Sequence, residues 1–237
     1  MVGNTLKIYR DGSALKYRHE GKTYTLGSVD IAVLGSLDHI KIVGSTEQPV
    51  ELVDEARVWD DLRIVPGSFD YAGVADPSLE NWQPGGSGRV FKIYKFKKND
   101  VAYASTQMPH DYKEGTDLEF HIHWTPADRG GAEAGNIVGW KVDYSIANVG
   151  SSFPASSTAD LQHTCTGTDD FHEIVASVAV NGSDLTISHI IELAIYRSDT
   201  GADDTWVGTT NAQSPGLLEF DIHYEKDGFG SREETTK

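Results

Sequence analysis

Two stretches one hundred residues apart decide the fold of this chain, LEFHIHW at 118–124 and LEFDIHY at 218–224. Both follow the pattern L-E-F-x-I-H-aromatic, in which apolar and polar residues alternate. Side chains alternate between the two faces of a β-strand, so each stretch has one apolar face and one face of carboxylate and imidazole groups. We therefore predict two strands whose apolar faces lie in the core.

The same alternation continues along most of the chain from residue 56 onward. Turn residues, mainly Gly, Asp, Asn and Ser, separate the alternating segments. No segment carries a convincing helical stripe; residues 50–62 come nearest and would supply a short helix. The predicted strands lie at 57–65, 90–96, 101–107, 118–124, 138–147, 161–165, 173–180, 185–197 and 218–225. This series predicts an all-β fold, an antiparallel jelly-roll-like β-sandwich over residues 56–237.

Residues 1–55 form a different region, which we interpret as a small β-rich arm or subdomain. Two tight-turn signals, Asp11-Gly12 and Glu20-Gly21, divide an alternating segment into three parts and predict a three-stranded meander. A region of this size buries little apolar surface by itself. We expect it to pack on the main domain, on a neighbouring subunit or on a partner.

The composition limits the classes of function. The 237 residues carry a formal net charge of −16, which repels the phosphates of a nucleic acid. No apolar run is long enough to span a membrane, and the first residues lack the apolar core of a signal peptide. The single cysteine, Cys165, cannot form an internal disulfide, and we expect it to be a small buried residue. We expect neither a nucleic-acid nor a membrane partner.

The polar faces of the two decisive strands carry the best candidate metal ligands. If the strands are neighbours, His121, His123, Asp221 and His223 converge, since side chains two residues apart on one face lie about 7 Å apart. Imidazole and carboxylate groups suit zinc, manganese, iron or nickel. Two other interpretations are open: a hydrated polar surface, and a subunit contact that titrates near neutral pH.

An H-x-H pair on a strand also resembles the cupin enzymes, which bind a metal in this way. The cupin pattern has a glutamate soon after the pair, whereas here the first one is Glu133. The second cupin motif is matched only loosely by SPGLLEFDIH at 214–223. A metal-dependent cupin-like enzyme is therefore a lesser alternative. The sequence contains no GxSxG elbow, P-loop or HExxH motif.

A stretch rich in Gly, Pro and Ser, residues 67–89, contains Tyr71 and Trp82. Loops of this length usually have a function or are ordered by a neighbour. Aromatic side chains on such loops often contact a partner, and they equally often fold back onto a sheet edge. We predict Tyr71 and Trp82 as partner contacts.

Four stretches together resemble a family of virion structural proteins of tailed bacteriophages. The family shares the block PH-x-[WY]-K-E-G-[ST]-D-L-x-x-H-x-HW and ends near D-x-H-Y...G-S-R. The matching stretches are RVWDDLRIVP (57–66), QMPHDYKEGTDLEFHIHW (107–124), VDYSIANVG (142–150) and EFDIHYEKDGFGSREE (219–234). The resemblance covers residues 57–237 and leaves the first 55 residues outside.

The resemblance implies a jelly-roll-like sandwich that forms a homotrimer on a virus particle assembled in the host cytoplasm. We expect a head cement or decoration protein on the capsid surface, bound to the major capsid protein, without enzymatic activity and without a cofactor. A tail or fibre protein that binds a host receptor is the alternative. The family offers no catalytic residues to transfer.

Overall fold

The computed structural model describes residues 7–11, 14–19, 22–26, 57–127, 134–208, 210–231 and 233–236. The chain divides into two compact units, Met1–Val43 and Gly44–Lys237. The predicted boundary between residues 55 and 56 lies outside the described residues.

The first unit contains a three-stranded antiparallel sheet in the order β1-β2-β3. Its strands are β1 (Lys7–Asp11), β2 (Ala14–His19) and β3 (Lys22–Leu26). Each strand pairs with the next along the chain, which is the meander that the two turn signals predict. The turn residues themselves, 12–13 and 20–21, lie outside the described ranges.

The second unit is an antiparallel β-sandwich, as the alternation predicts. Its smaller sheet has the order β10-β9-β13-β7, and its larger sheet has the order β11-β8-β14-β6-β5, with β12 also on β8 and β4 also on β14. The strands are β4 (Val58–Ile64), β5 (Ser78–Trp82), β6 (Phe91–Lys95), β7 (Val101–Gln107), β8 (Leu118–Thr125), β9 (Ile137–Ala147), β10 (Ser157–Thr164), β11 (Glu173–Ile174), β12 (Val178–Val180), β13 (Ile190–Arg197) and β14 (Gly216–Lys226).

Three details of the predicted elements were wrong. The stretch 67–89 is not all loop, because Ser78–Trp82 pairs with β6 as strand β5. The segment 173–180 is two short strands rather than one. Residues 57–62 are the described part of the proposed helix. Arg57 precedes β4 and residues 58–62 are its beginning, while residues 50–56 lie outside the described chain. In the described ranges, no helix has the length and apolar character needed to cross a bilayer.

The core lies between the two sheets. From the larger sheet, the apolar faces of β8 and β14 are buried, and Phe120 packs edge-on against Phe220 with ring centroids 5.3 Å apart. Phe120 also meets Tyr144 of the smaller sheet at 5.4 Å. The fully buried side chains of the same core cluster include Leu118, Ile122, Trp124, Trp140, Val142, Ile191 and Ile195.

A β-bulge in β14 corrects one predicted side-chain direction. Leu217 pairs with Trp124 while Glu219 pairs with His123, so the register shifts between them and Leu218 is the extra residue. Leu217 is buried in the core, whereas Leu218 is only half-buried. The alternation had assigned Leu218 to the apolar face with Phe220.

A buried ion pair joins β13 to the following loop. Arg197 donates to both carboxylate oxygens of Asp204, at 2.6 and 2.8 Å, and also to the backbone oxygen of Phe96 at 3.0 Å. Neither side chain is exposed. Removal of one partner from such a pair leaves a buried charge without compensation, which makes the contact a strong constraint on this loop.

Phe120→Ala should lower the free energy of unfolding by about 3–5 kcal/mol, because it leaves a cavity at the contact between the sheets. Phe229→Ala is the matched control, since Phe229 is 79% exposed. The control should change stability by less than about 0.5 kcal/mol. Urea unfolding of both variants measures the difference, and equal effects would contradict this description of the core.

Candidate functional site

The polar face of the larger sheet is built from three cross-strand rows. The antiparallel register places His223 of β14 between Glu119 of β8 and Asp61 of β4. In the next row, Asp221 lies between His121 and Arg63. In the third, His123 faces Glu219. We call these residues the histidine face.

The structure brings together all four of the predicted metal ligands. The rings of His121 and His223 stack with centroids 4.1 Å apart. The Oδ2 atom of Asp221 lies 3.4 Å from Nε2 of His223 and 3.4 Å from Nε2 of His123. The sequence analysis required β8 and β14 to be neighbours, and the structure pairs them.

Two polar groups of the histidine face are buried without a hydrogen bond among the described residues. The residue Asp221 is only 4% exposed, and its Oδ1 atom has no such partner. Both ring nitrogens of His121 are likewise buried and have no hydrogen-bond partner among the described residues. Burial, and then the nearby His223 ring, lower the pKa of His121, which favours its neutral form.

The sequence patterns did not single out two further members of the cluster. Asp61 Oδ1 lies 3.0 Å from Nε2 of His223, and Asp61, Asp221 and His223 each place a ligand atom within 4.8 Å of the others. His172 Nε2 lies 2.7 Å from Nδ1 of His123. The position of Asp61 follows only from the pairing of β4 with β14, and His172 belongs to a loop with no periodic signal.

An ion pair borders the cluster. Arg63 donates to both carboxylate oxygens of Glu219, and the Nη2–Oε2 distance is 2.6 Å. Arg63 is 67% exposed at its side chain, so this pair lies at the solvent edge of the histidine face.

The two predicted partner contacts have different surroundings. Tyr71 folds back onto the sandwich, where its ring stacks on Tyr94 at 5.0 Å and its hydroxyl donates to the backbone oxygen of Pro66. Trp82 lies on β5 and donates from Nε1 to Asp170 at 2.6 Å. Its ring borders an open hollow of about 390 Å³ on the surface. A partner contact through either residue remains a prediction.

A second cluster joins the stretch 107–124 to the stretch 219–234. Residues 110–113, before β8, contact residues 224–231 at the end of the chain, and we call this contact the C-terminal latch. Asp111 accepts from the Tyr224 hydroxyl at 3.0 Å and pairs with Lys226 at 2.7 Å. His110 bonds to Ser231 at 2.7 Å. The latch thus ties the last strand to the loop before β8.

The latch also contains a buried tyrosine. Tyr112 is fully buried, packs edge-on against Tyr224 and donates its hydroxyl to the backbone oxygen of Thr116. Burial raises the pKa of Tyr112 to about 12, so the hydroxyl keeps its proton at any physiological pH. These contacts give Asp111 and Tyr112 a role in holding the fold together.

No protein-family model and no curated protein matches this chain. The xylan-binding domain CBM22-2 of Xyn10C from Paenibacillus barcinonensis is 11% identical with a TM-score of 0.35, over 68% of this chain and 92% of that one. TmCBM61, solved with β-1,4-galactotriose, is 8% identical with a TM-score of 0.27, over 71% and 88%. The stem and receptor-binding domain of spike protein P1 from bacteriophage PM2 is 9% identical with a TM-score of 0.27, over 64% and 68%. Likenesses this distant assign neither ligand nor function.

Asp111→Ala should lower the free energy of unfolding by about 1–3 kcal/mol, because it leaves the hydroxyl of the buried Tyr224 without its acceptor, while Lys226 keeps its pairing with Asp60 at 2.8 Å. Asp160→Ala is the matched control. Asp160 also pairs with a lysine, Lys141 at 2.8 Å, but its side chain is 58% exposed. The control should cost less than about 1 kcal/mol. Chemical denaturation compares the two, and a larger loss in the control would contradict a structural role for the latch.

Proposed function

We propose that this chain is a non-enzymatic structural protein of a tailed-bacteriophage virion. Within that class we propose a head cement or decoration protein, a homotrimer that binds the major capsid protein on the capsid surface. The proposal begins from the sequence blocks that resemble phage virion proteins, and it is supported by where those blocks lie in the fold.

The C-terminal latch is the observation that carries the proposal. His110, Tyr112 and Lys113 belong to the long block, while Tyr224 and Ser231 belong to the tail block. The backbone N–H of Lys113 donates to the oxygen of Glu225 at 2.7 Å, and side chains of the two blocks bond directly. The two blocks lie over one hundred residues apart in the sequence and form one contact in the fold, so the two stretches that resemble phage proteins lie together in the sandwich.

Exposed apolar side chains on the larger sheet supply surface that a neighbour would bury. Val58 and Trp59 of β4 are 52% and 54% exposed, and Leu79 of β5 and Phe91 of β6 are exposed to a similar extent. Within the described part of the chain, β4 pairs only with β14, so its outer edge has backbone groups open to pairing. Strand addition to such an edge is a common mode of protein assembly.

A homotrimer on the capsid gains avidity from repeated contacts. Three linked contacts bind far more tightly than one, because the second and third binding events become intramolecular. A protein of this kind stabilises the head by bridging capsid subunits, and it needs complementary surfaces rather than an enclosed catalytic pocket. The hollows at Trp82 and at the histidine face are open to solvent, in keeping with this role.

The full chain should bind purified phage heads that lack their decoration protein, in a saturable manner and with a native mass three times that of the 25.9 kDa chain. Deletion of residues 1–55 should abolish binding, since this arm is our candidate grip on a neighbour. Cosedimentation with the heads and native mass spectrometry measure both properties. Trp59→Glu, in the full chain, tests the exposed apolar surface of the larger sheet without removing the arm, and Phe229→Glu is its exposed control. Unchanged occupancy in both test variants would overturn the assigned contacts, and no binding by the full chain would overturn the cement role.

The second candidate is a tail or fibre protein that binds a host receptor. The observation in its favour is the open hollow lined by Trp82, Lys92 and Tyr94, because aromatic rings beside polar groups suit stacking on sugars. Binding of host cell-surface polysaccharide, lost in Trp82→Ala and accompanied by no binding to heads, would favour this candidate over the first.

A further inference from the structure

We propose that the histidine face holds one divalent transition-metal ion, zinc by its ligand chemistry, on Asp61, Asp221 and His223, with His123 as the fourth ligand. The inference rests on the geometry of this cluster and is independent of the virion assignment. A metal in this position would join β4, β14 and β8 across the outer side of the sheet.

The distances between the candidate ligand atoms suit a tetrahedral zinc ion. Zinc bonds of 2.0–2.1 Å to nitrogen and oxygen place neighbouring ligand atoms about 3.3 Å apart. His223 Nε2 lies 3.0 Å from Asp61 Oδ1 and 3.4 Å from Asp221 Oδ2. His123 Nε2 lies 3.4 Å from the same Asp221 oxygen. The two separations from His223 match edges of a zinc tetrahedron, and Asp61, Asp221 and His223 each place a ligand atom within 4.8 Å of the others. His123 lies outside this group of three and approaches only the Asp221 oxygen, so it reaches the fourth position by a small rotation of its side chain.

The buried carboxylate of Asp221 also indicates a bound cation. This residue is 96% buried, and one of its oxygens has no hydrogen-bond partner among the described residues. The nearest permanent cation in its row is Arg63, which directs its guanidinium to Glu219 instead. A buried carboxylate needs a compensating charge. A divalent ion between Asp221 and Asp61 supplies it.

The neighbouring rings hold the imidazole ligands in position. His172 contacts Nδ1 of His123 at 2.7 Å and so leaves Nε2 of His123 directed to Asp221. His121 stacks on His223 with an interplanar angle of 20° and restricts rotation of that ring. Contacts of this kind orient metal ligands in many proteins, and their loss weakens metal affinity.

The donor set selects the class of metal. Imidazole nitrogen with carboxylate oxygen is typical of zinc and its first-row neighbours, whereas calcium and magnesium take mainly oxygen donors. The four donors come from three strands of one sheet, so the ion would act as a clasp between strands.

Native mass spectrometry and isothermal titration test the site on the full chain, stripped with EDTA and titrated with Zn²⁺ alone. We expect one ion per chain, and a rise of several degrees in the thermal midpoint at saturating zinc, since a ligand of the folded state stabilises it. Asp221→Asn and His223→Gln should abolish binding. Asp61→Asn, at an exposed position where the fold tolerates change, should weaken binding at least tenfold.

Asp160→Asn is the matched control, because it makes the same chemical change on the smaller sheet and should leave the affinity for zinc unaltered. Circular dichroism checks that each variant is folded, and if Asp221→Asn is not, Asp61→Asn decides the question alone. The proposal is overturned if the stripped chain binds no zinc. It is equally overturned if Asp61→Asn binds zinc as tightly as the unaltered chain, because the ion would then occupy another site.

Discussion

In the centre of the larger sheet, β14 pairs with β8 along one edge and with β6 and β4 along the other. This arrangement sets Ile122 beside Phe220 and Phe120 beside Ile222, so two apolar faces become one continuous surface. The smaller sheet covers that surface through Trp140 and its neighbours. Burial of apolar area is the main force that favours folding, and the apolar faces of β8 and β14 that this pairing joins are buried in the core.

The same pairing creates the histidine face. Since the side-chain period of a strand is two, any register that buries Phe120 and Phe220 places His121, Asp221 and His223 on the opposite face. The observed register then sets Asp221 beside His121. The chemistry of the outer face is therefore coupled to the packing of the inner face. A slip of one residue would expose the core and scatter the candidate ligands at the same time.

The C-terminal latch also depends on the pairing of β14 with β8. Asp111 and Tyr112, which precede β8, contact Tyr224 near the end of β14. The motif letters that suggest a virion protein therefore report on the closure of the sandwich, and the proposed assembly surfaces lie elsewhere, on β4, β5 and β6. A virion protein of this design would separate the residues that hold its fold from those that hold its neighbours.

The sequence by itself determined most of the strands, their buried faces and the polar residues opposite them, because alternation with a period of two is a local property of the chain. It missed β5 in the stretch read as a loop. Phe120, Ile122 and Trp124 are buried as their spacing predicts. Alternation predicts which face of the strand a side chain lies on, but it does not predict which residue of the next strand lies beside it. The addition of Asp61 to the histidine face, the bulge that turns Leu218 outward and the burial of Arg197 against Asp204 all depend on pairings and packing between distant segments. Only the tertiary structure decides these features, because they depend on which distant segments pair with the lowest free energy.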